Sequence, residues 1–383
     1  QAMFNDAGVV AVTRTRDDGT IEPGFRVYVA GGLGANPHPA LAREDLTPRD
    51  DLLPTVEATL RVFDRTGRRD NKLRARMKWV VDELGWDETR RQIIETRRLL
   101  PASSSGPGGI PRAVADRGDA PAGAGLGITP TAVGQGVAVT IGGHSAFQRW
   151  HDANVVRGVA RGTVSAYAWC RLGDVTAAQF HGLAAIVREF SVDVRVSNRQ
   201  NFVIRDLDEQ QLPLLFDRLE ALDMATPGAE LSRDVVSCPG ADTCSLAVTQ
   251  SRGLARAIGA QLEADGLAEV GGVRINISGC MNSCGQHHVA DIGFFGTERR
   301  AHGAAAPGYQ MLLGGYVGQQ QVHFGDKALR LPARTAPEAA ARVLGRYVLE
   351  RDLRRSASVC AVRRGRLPAV ASRHHREDQH GKR

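Results

Sequence analysis

The chain has 383 residues, 42% of them hydrophobic, with 49 Lys+Arg against 42 Asp+Glu, a formal net charge of +7 and six cysteines. That length suffices for two or three domains with substantial cores, and the composition is that of an ordinary globular protein. The positive charge does not mark a nucleic-acid-binding body: Arg351–Arg383 holds ten basic and three acidic residues, while the other 350 residues carry 39 of each sign. No run of about 18 uncharged apolar residues occurs, so no membrane span is expected. Gln1–Asp6 shows no basic region leading into an apolar core, hence no secretory signal is read, and a reducing cytoplasm is the expected setting.

From the N-terminus, an internal repeat organises the sequence. The chain reads D-A-G-V-V from Asp6, G-F-R-V-Y-V-A-G-G-L-G from Gly24 and E-A-T-L-R-V-F from Glu57. Downstream it reads D-I-G-F-F from Asp291, G-Y-Q-M-L-L-G-G-Y-V-G from Gly308 and E-A-A-A-R-V-L from Glu338, offset by 281 to 285 residues. Each copy predicts strand, loop, strand, glycine-rich turn and amphipathic helix. Gln1 aligns with Gln286, so the first copy opens where the second has just passed its last cysteine motif. The expectation is an N-terminally incomplete piece of a longer two-copy protein, since strands without sheet partners leave backbone groups unmet. The glycines after each second strand (Gly31, Gly32, Gly34; Gly314, Gly315, Gly318) lack the spacing of a dinucleotide fingerprint and are read as close backbone approach.

Arg65–Gly85 is a basic segment after the first copy, and a solvated face is at least as ready a reading of its Arg76 and Lys78 as anion or cofactor binding. Residues 101–130 form a Pro/Gly/Ser/Ala linker. Next come predicted strands at Val137–Ile141 and Gly162–Leu172, the latter packing Cys170. A helix from the capping box of Thr176 and Gln179 to Phe190 puts Phe180, Leu183, Ala184 and Val187 on one face. Strand–turn–strand material follows over Val192–Asp206, then a second helix over Asp208–Leu222.

Cys238 and Cys244 sit in C-P-G-A-D-T-C; after 35 intervening residues Cys280 and Cys284 sit in C-M-N-S-C. Four thiolates in two short pairs match a [4Fe–4S] cube, which offers one cysteine site per iron. Structural zinc prefers pairs two to four residues apart, which the second pair fits and the first does not; disulfides would need an oxidising compartment. The segment after Cys244 has helical spacing, placing Cys238 and Cys244 at or before a helix start, where free N–H groups favour negative charge. An alternating strand, Val273–Ile277, delivers Cys280. His287 and His288 are read as polar loop residues without a role. Beyond Asp352 the Arg-rich tail, which contains Cys360, reads as disordered.

The two cysteine pairs, together with V-R-V-S-N-R-Q-N-F-V-I at Val194–Ile204, resemble the nitrite and sulfite reductases that couple a [4Fe–4S] cluster to sirohaem. The likeness covers residues 6–350. It implies an α+β fold: a ferredoxin-like half domain plus two pseudo-repeated α/β sirohaem/Fe–S domains, the first only partial. The resulting organisation is a first-repeat remainder at 1–100, linker 101–130, half domain 131–227, second repeat 228–350 and tail 351–383. It implies cluster ligation by Cys238, Cys244, Cys280 and Cys284, with Cys284 also reaching the sirohaem iron. Arg199, Gln200, Asn201 and Asn282 become candidate cofactor contacts, since the eight carboxylates of sirohaem call for charged and amide donors. The implied activity is six-electron reduction of sulfite to sulfide, fed by ferredoxin or a flavoprotein reductase. Nitrite reductase and precorrin-3B synthase are the enzyme alternatives; an inactive cluster-only or zinc-binding fragment is the other class. The substrate-binding Arg and Lys residues that the family uses are expected upstream of Gln1, so no catalytic residue is named.

Overall fold

The computed structural model describes residues 1–102, 145–158, 162–301, 304–318 and 321–354. The linker, the predicted strand at Val137–Ile141 and Cys360 with its basic tail lie outside them. The chain divides into two compact units, and residues 1–102 fall in the first with Val317–His323.

In the first unit, β1 (Ala7–Thr15) and β2 (Ile21–Val29) form an antiparallel hairpin from Ala7↔Val29 to Thr15↔Ile21, and β3 (Leu41–Ala42) flanks β2. Helices α1 (Leu52–Thr66), α2 (Met77–Leu84) and α3 (Trp86–Arg98) follow. Val27 and Val29 pack against Ala58, Val62, Val80 and Ile93. Each such buried aliphatic side chain contributes roughly 1.5–3 kcal/mol. Arg76 and Lys78 do not form a solvated face. Lys78 is buried and donates to the Leu33 and Asn36 carbonyls of the glycine-rich turn, while Arg76 pairs with Asp6 at 2.7 Å. Those carbonyls, left over where β2 ends, need donors from elsewhere.

The second unit begins with a four-stranded sheet in the order β4-β5-β7-β6. Its elements are α4 (Ala146–Asn154), β4 (Val155–Arg157), β5 (Val164–Ala168), α5 (Ala177–Phe190), β6 (Asp193–Val196), β7 (Phe202–Leu207) and α6 (Leu212–Glu220). The capping box of Thr176 and Gln179 starts α5 as read from sequence. The buried face is Leu183, Ile186 and Phe190 rather than one that includes Phe180, which is exposed at the helix start. Cys170 is buried two residues past the end of β5 rather than within a strand.

A five-stranded sheet follows in the order β14-β11-β10-β9-β8. It comprises β8 (Val236–Ser237), β9 (Ile275–Ser278), β10 (Ile292–Ala301), β11 (Ala304–Leu313) and β14 (Asp326–Pro332), with α7 (Ser251–Ala264) and α8 (Ala336–Arg354). A separate ribbon joins β12 (Tyr316–Val317) to β13 (Val322–His323). Leu254, Ile258 and Leu262 of α7 pack on Ile275, Ile277, Phe294 and Met311, with Ala340 and Leu344 of α8.

The repeat reappears in the backbone. The Ala30 N–H donates to the Asp6 carbonyl at 2.9 Å, and the Gly314 N–H donates to the Asp291 carbonyl at 3.0 Å. Ala40 N–H to Met3 carbonyl (2.8 Å) matches Gly325 N–H to His288 carbonyl (2.7 Å). Ala30 and Gly314 both have positive φ, 69° and 82°. The copies differ at one edge. β10 pairs in parallel with β9, whereas β1 pairs only with β2 among the described residues. Accordingly Val9 and Val10 are 42% and 38% exposed, while the residues 285 positions on, Phe294 and Phe295, are 0% and 8% exposed.

Candidate metal centre

Two adjacent parallel strands deliver the cysteines. β8 and β9 run side by side with Ser237 opposite Ile277, and the Cys238 N–H extends the ladder to the Ile277 carbonyl at 3.1 Å. Cys238 therefore leaves the carboxyl end of β8, and Cys280 leaves that of β9 two residues beyond Ser278. Loops beyond the carboxyl ends of parallel strands are where open α/β sheets place ligands.

The first loop turns at Gly240 (φ 63°), where the Cys244 N–H meets the Gly240 carbonyl at 3.0 Å. It then folds back: the N–H groups of Val248 and Thr249 both reach the Gly279 carbonyl, at 3.0 and 3.2 Å. This return delays α7 to Ser251, so the helix expected directly after Cys244 starts later. Local periodicity loses there to hydrogen bonds with a residue 30 positions away. Cys238, by contrast, does face a helix start. Ser251 Oγ donates to the Cys238 carbonyl at 2.6 Å and lies 3.4 Å from its Sγ, and the Gly279 N–H points at the same sulfur at 3.2 Å.

The second loop turns through Ser283 (φ 64°), and Gly285 N–H donates to Ser278 Oγ at 3.0 Å. A Cβ on Gly285 would strike the Ile277 carbonyl, and one on Gly279 would come within 2.8 Å of Gly240 Cα. These glycines bring the two loops together by close backbone approach. Asn282 and Cys284 are exposed, Cys244 likewise, and Cys238 and Cys280 half-buried.

The four thiols share one locality. Burial pushes the Cys284 thiol above its ordinary pKa, and the neighbouring Cys238, Cys280 and Cys244 push it further. All five described cysteines are free. Among the described residues no three His, Cys, Asp or Glu side chains converge tightly enough for one metal ion. A four-iron cube takes one cysteine per iron, and four thiols in two pairs are the donor set it calls for.

The R-Q-N turn between β6 and β7, read as cofactor contacts, bonds to the segment before Cys238. Arg199 is 8% exposed and donates to the carbonyls of Glu230 (2.8 Å), Leu231 (3.4 Å) and Asp234 (3.0 Å). Asn201 is 1% exposed; its amide donates to Asp234 Oδ2 at 2.6 Å and accepts from the Cys170 N–H at 3.0 Å. Both side chains are thus committed within the protein. Gln200, at φ 69°, reaches the Ser237 carbonyl at 3.4 Å and keeps a buried Oε1 without a partner. Burial raises the pKa of Asp234 and of Glu230, and Arg199 opposes the rise in both.

His287 and His288 are not polar loop residues. Both are buried, with ring centroids 4.2 Å apart, and His287 lies 4.9 Å from Phe295. His287 Nδ1 is 2.8 Å from Ser278 Oγ, the atom that also holds Gly285. Burial and His288 lower the His287 pKa to about 2, which keeps the ring neutral. Ser251 and this histidine escape sequence reasoning, whereas the glycines flanking Cys280 and Cys284 in S-G-C-M-N-S-C-G are a readable signal.

Comparison with known proteins shows the family. The profile described as the nitrite and sulphite reductase 4Fe-4S domain matches residues 1–99 and 228–347, and that of the nitrite/sulfite reductase ferredoxin-like half domain matches 161–222. The ferredoxin–nitrite reductase of Synechococcus elongatus is 30% identical over 353 residues, 91% of this chain and 60% of that protein. Ferredoxin sulfite reductase 2 of Mycolicibacterium paratuberculosis is 28% identical over 85% of this chain and 52% of its own length. The chain therefore spans between 52% and 60% of these two relatives. The structure of the Mycobacterium tuberculosis NirA protein shares the fold, with TM-score 0.67 and 23% identity over 89% of this chain and 57% of that one. With two thiolate pairs on neighbouring loops and both domain profiles matched, the chain belongs to the nitrite and sulphite reductase family.

Proposed function

We propose that this chain is part of an assimilatory reductase of a small oxyanion, with sulfite as the leading substrate. Cys238, Cys244, Cys280 and Cys284 would hold the [4Fe–4S] cluster. Cys284, exposed at the outer side of its loop, would also meet the sirohaem iron. Asn282 beside it and Gln200, with its unpartnered Oε1, are the remaining polar groups offered to that cofactor. The bound cofactors supply the electron transfer and the activation of the anion. The chain's own residues position Cys238, through Ser251 Oγ donating to its carbonyl, and Gly279 N–H tunes its thiolate by hydrogen bonding to sulfur. Ferredoxin is the proposed electron donor, as in the names of both relatives, and a reducing cytoplasm the proposed setting. No helix among the described residues is long and apolar enough to cross a membrane.

The observation that carries this reading is that two adjacent parallel strands, β8 and β9, deliver the two cysteine pairs from their carboxyl ends. The nitrite reading stands second, because the Synechococcus elongatus relative that covers 91% of this chain is a nitrite reductase. The test is an anaerobic absorption spectrum with iron, zinc and acid-labile sulfide counts per chain. Haem bands with about five irons, one beyond a four-iron cluster, support the full reading. About four irons without haem bands support the cluster alone. Zinc without labile sulfide rejects it. Single-turnover assays with sulfite and with nitrite separate the two substrates.

A further inference from the structure

The R-Q-N turn lies in the ferredoxin-like sheet, yet each of its three residues bonds to the segment that leads into the first cluster cysteine. Arg199 takes the carbonyls of Glu230, Leu231 and Asp234; Gln200 reaches the Ser237 carbonyl; Asn201 takes the Asp234 carboxylate. Asp234 in turn accepts the Glu230 N–H at 2.9 Å, closing a turn in which Glu230 adopts φ 65°. A non-glycine residue in that region is strained and persists only when its surroundings over-determine it. Here the surroundings are one guanidinium fork spanning three carbonyls and one amide bonded to the carboxylate. Four residues after Asp234 comes Cys238, with only Val235 and the two-residue strand β8 between.

We infer that Arg199, together with Asn201, is a positioning device for Cys238: it fixes the 230–234 turn, so that β8 presents the first cluster thiolate at one place. The inference rests on the cluster assignment proposed above. A fork with several parallel donors suits this task, since a lysine cannot span three carbonyls at once. Outer groups that orient a ligand tune a metal centre without touching it, and their loss weakens metal retention 10- to 100-fold. The arrangement also ties the half domain to the cluster loop, so that the turn between β6 and β7 transmits its geometry to Cys238.

The test compares the unsubstituted 383-residue chain with Arg199→Met and Arg199→Lys, each reconstituted anaerobically with iron and sulfide. The readouts are labile sulfide per chain, the rate of cluster loss to a chelator, and the EPR line shape and midpoint potential of the reduced cluster. Circular dichroism reports the fold. Arg199→Met is expected to lose its cluster about 10-fold faster or more, with an altered EPR line shape and shifted midpoint at unchanged secondary structure. Arg199→Lys is expected to recover part of each. A folded Arg199→Met chain with the unsubstituted lifetime, line shape and midpoint overturns the proposal. Should Arg199→Met fail to fold, Arg199→Lys decides, and unsubstituted values there overturn it equally. An unsubstituted chain that takes up no cluster removes the cluster assignment itself, an outcome distinct from either.

Discussion

Ser251 Oγ donates to the Cys238 carbonyl at 2.6 Å while lying 3.4 Å from the sulfur of the same residue. One hydroxyl at the start of α7 thus fixes the backbone of Cys238 beside its own sulfur. Ser251→Ala removes that donor from a buried position. Loss of such an outer partner typically weakens metal retention about 10-fold or more. A chelator-challenge time course on the reconstituted chain, followed by absorbance, is expected to show that acceleration. A variant with unchanged cluster lifetime would remove Ser251 from the site.

Two glycines of the second copy separate steric need from conformational need. Gly314 sits at φ 82° with open space around its missing Cβ, so Gly314→Ala carries backbone strain alone, about 1–2 kcal/mol. A Cβ at Gly293 would collide with the His287 carbonyl, forcing β10 away from the buried turn before it. Gly293→Ala is expected to cost more than 3 kcal/mol, roughly, by the overpacking and strain that give exceptional losses. Urea unfolding of the two variants checks the order; equal losses would contradict the packing described.

His287 gives the second unit an acid sensitivity. Its folded pKa, lowered to about 2 by burial, lies below the unfolded value near 6.5. Between those values the unfolded chain binds a proton that the folded chain does not. Stability is therefore complete above about pH 6.5 and falls as the pH drops toward 2, by up to about 1.4 kcal/mol per pH unit. His287→Phe keeps a ring beside Phe295 and removes that proton. Unfolding free energies at pH 7 and pH 5 should converge in the variant relative to the unsubstituted chain.

Cys170 should be chemically silent. Burial raises its pKa to about 11, so at pH 8 about one thiol in a thousand is ionised. Thiolate, not thiol, reacts with alkylating agents. Peptide mapping after iodoacetamide treatment of the cluster-free chain should find exposed Cys244 modified before Cys170, which reacts only after denaturation.

The cysteine pairs and the repeat were readable because their determinants are local: thiol spacing, glycines at forced turns, and short blocks recurring in the same order. The hairpin of β6 and β7 was readable for the same reason. Buried charge was not. Arg199 finds its carbonyl partners 31 to 35 positions away and Lys78 finds its own 42 and 45 positions back, and no periodicity announces either. Polar residues in a turn look alike in sequence whether they meet water or a strand end. The late start of α7 has a similar origin, since Val248 and Thr249 answer to Gly279 rather than to helical propensity.

The outer side of β1 bears on how the protein behaves in solution. Among the described residues β1 pairs only with β2, and a nine-residue edge strand with exposed Val9 and Val10 is a template for edge-to-edge pairing between molecules. Arg14 and Arg16 guard only its far end, where both pair with Glu22 and so lose much of their repulsive charge. Colloidal self-association through this edge should rise with concentration, and a lysine at Val10 is the change that would keep the chain dispersed.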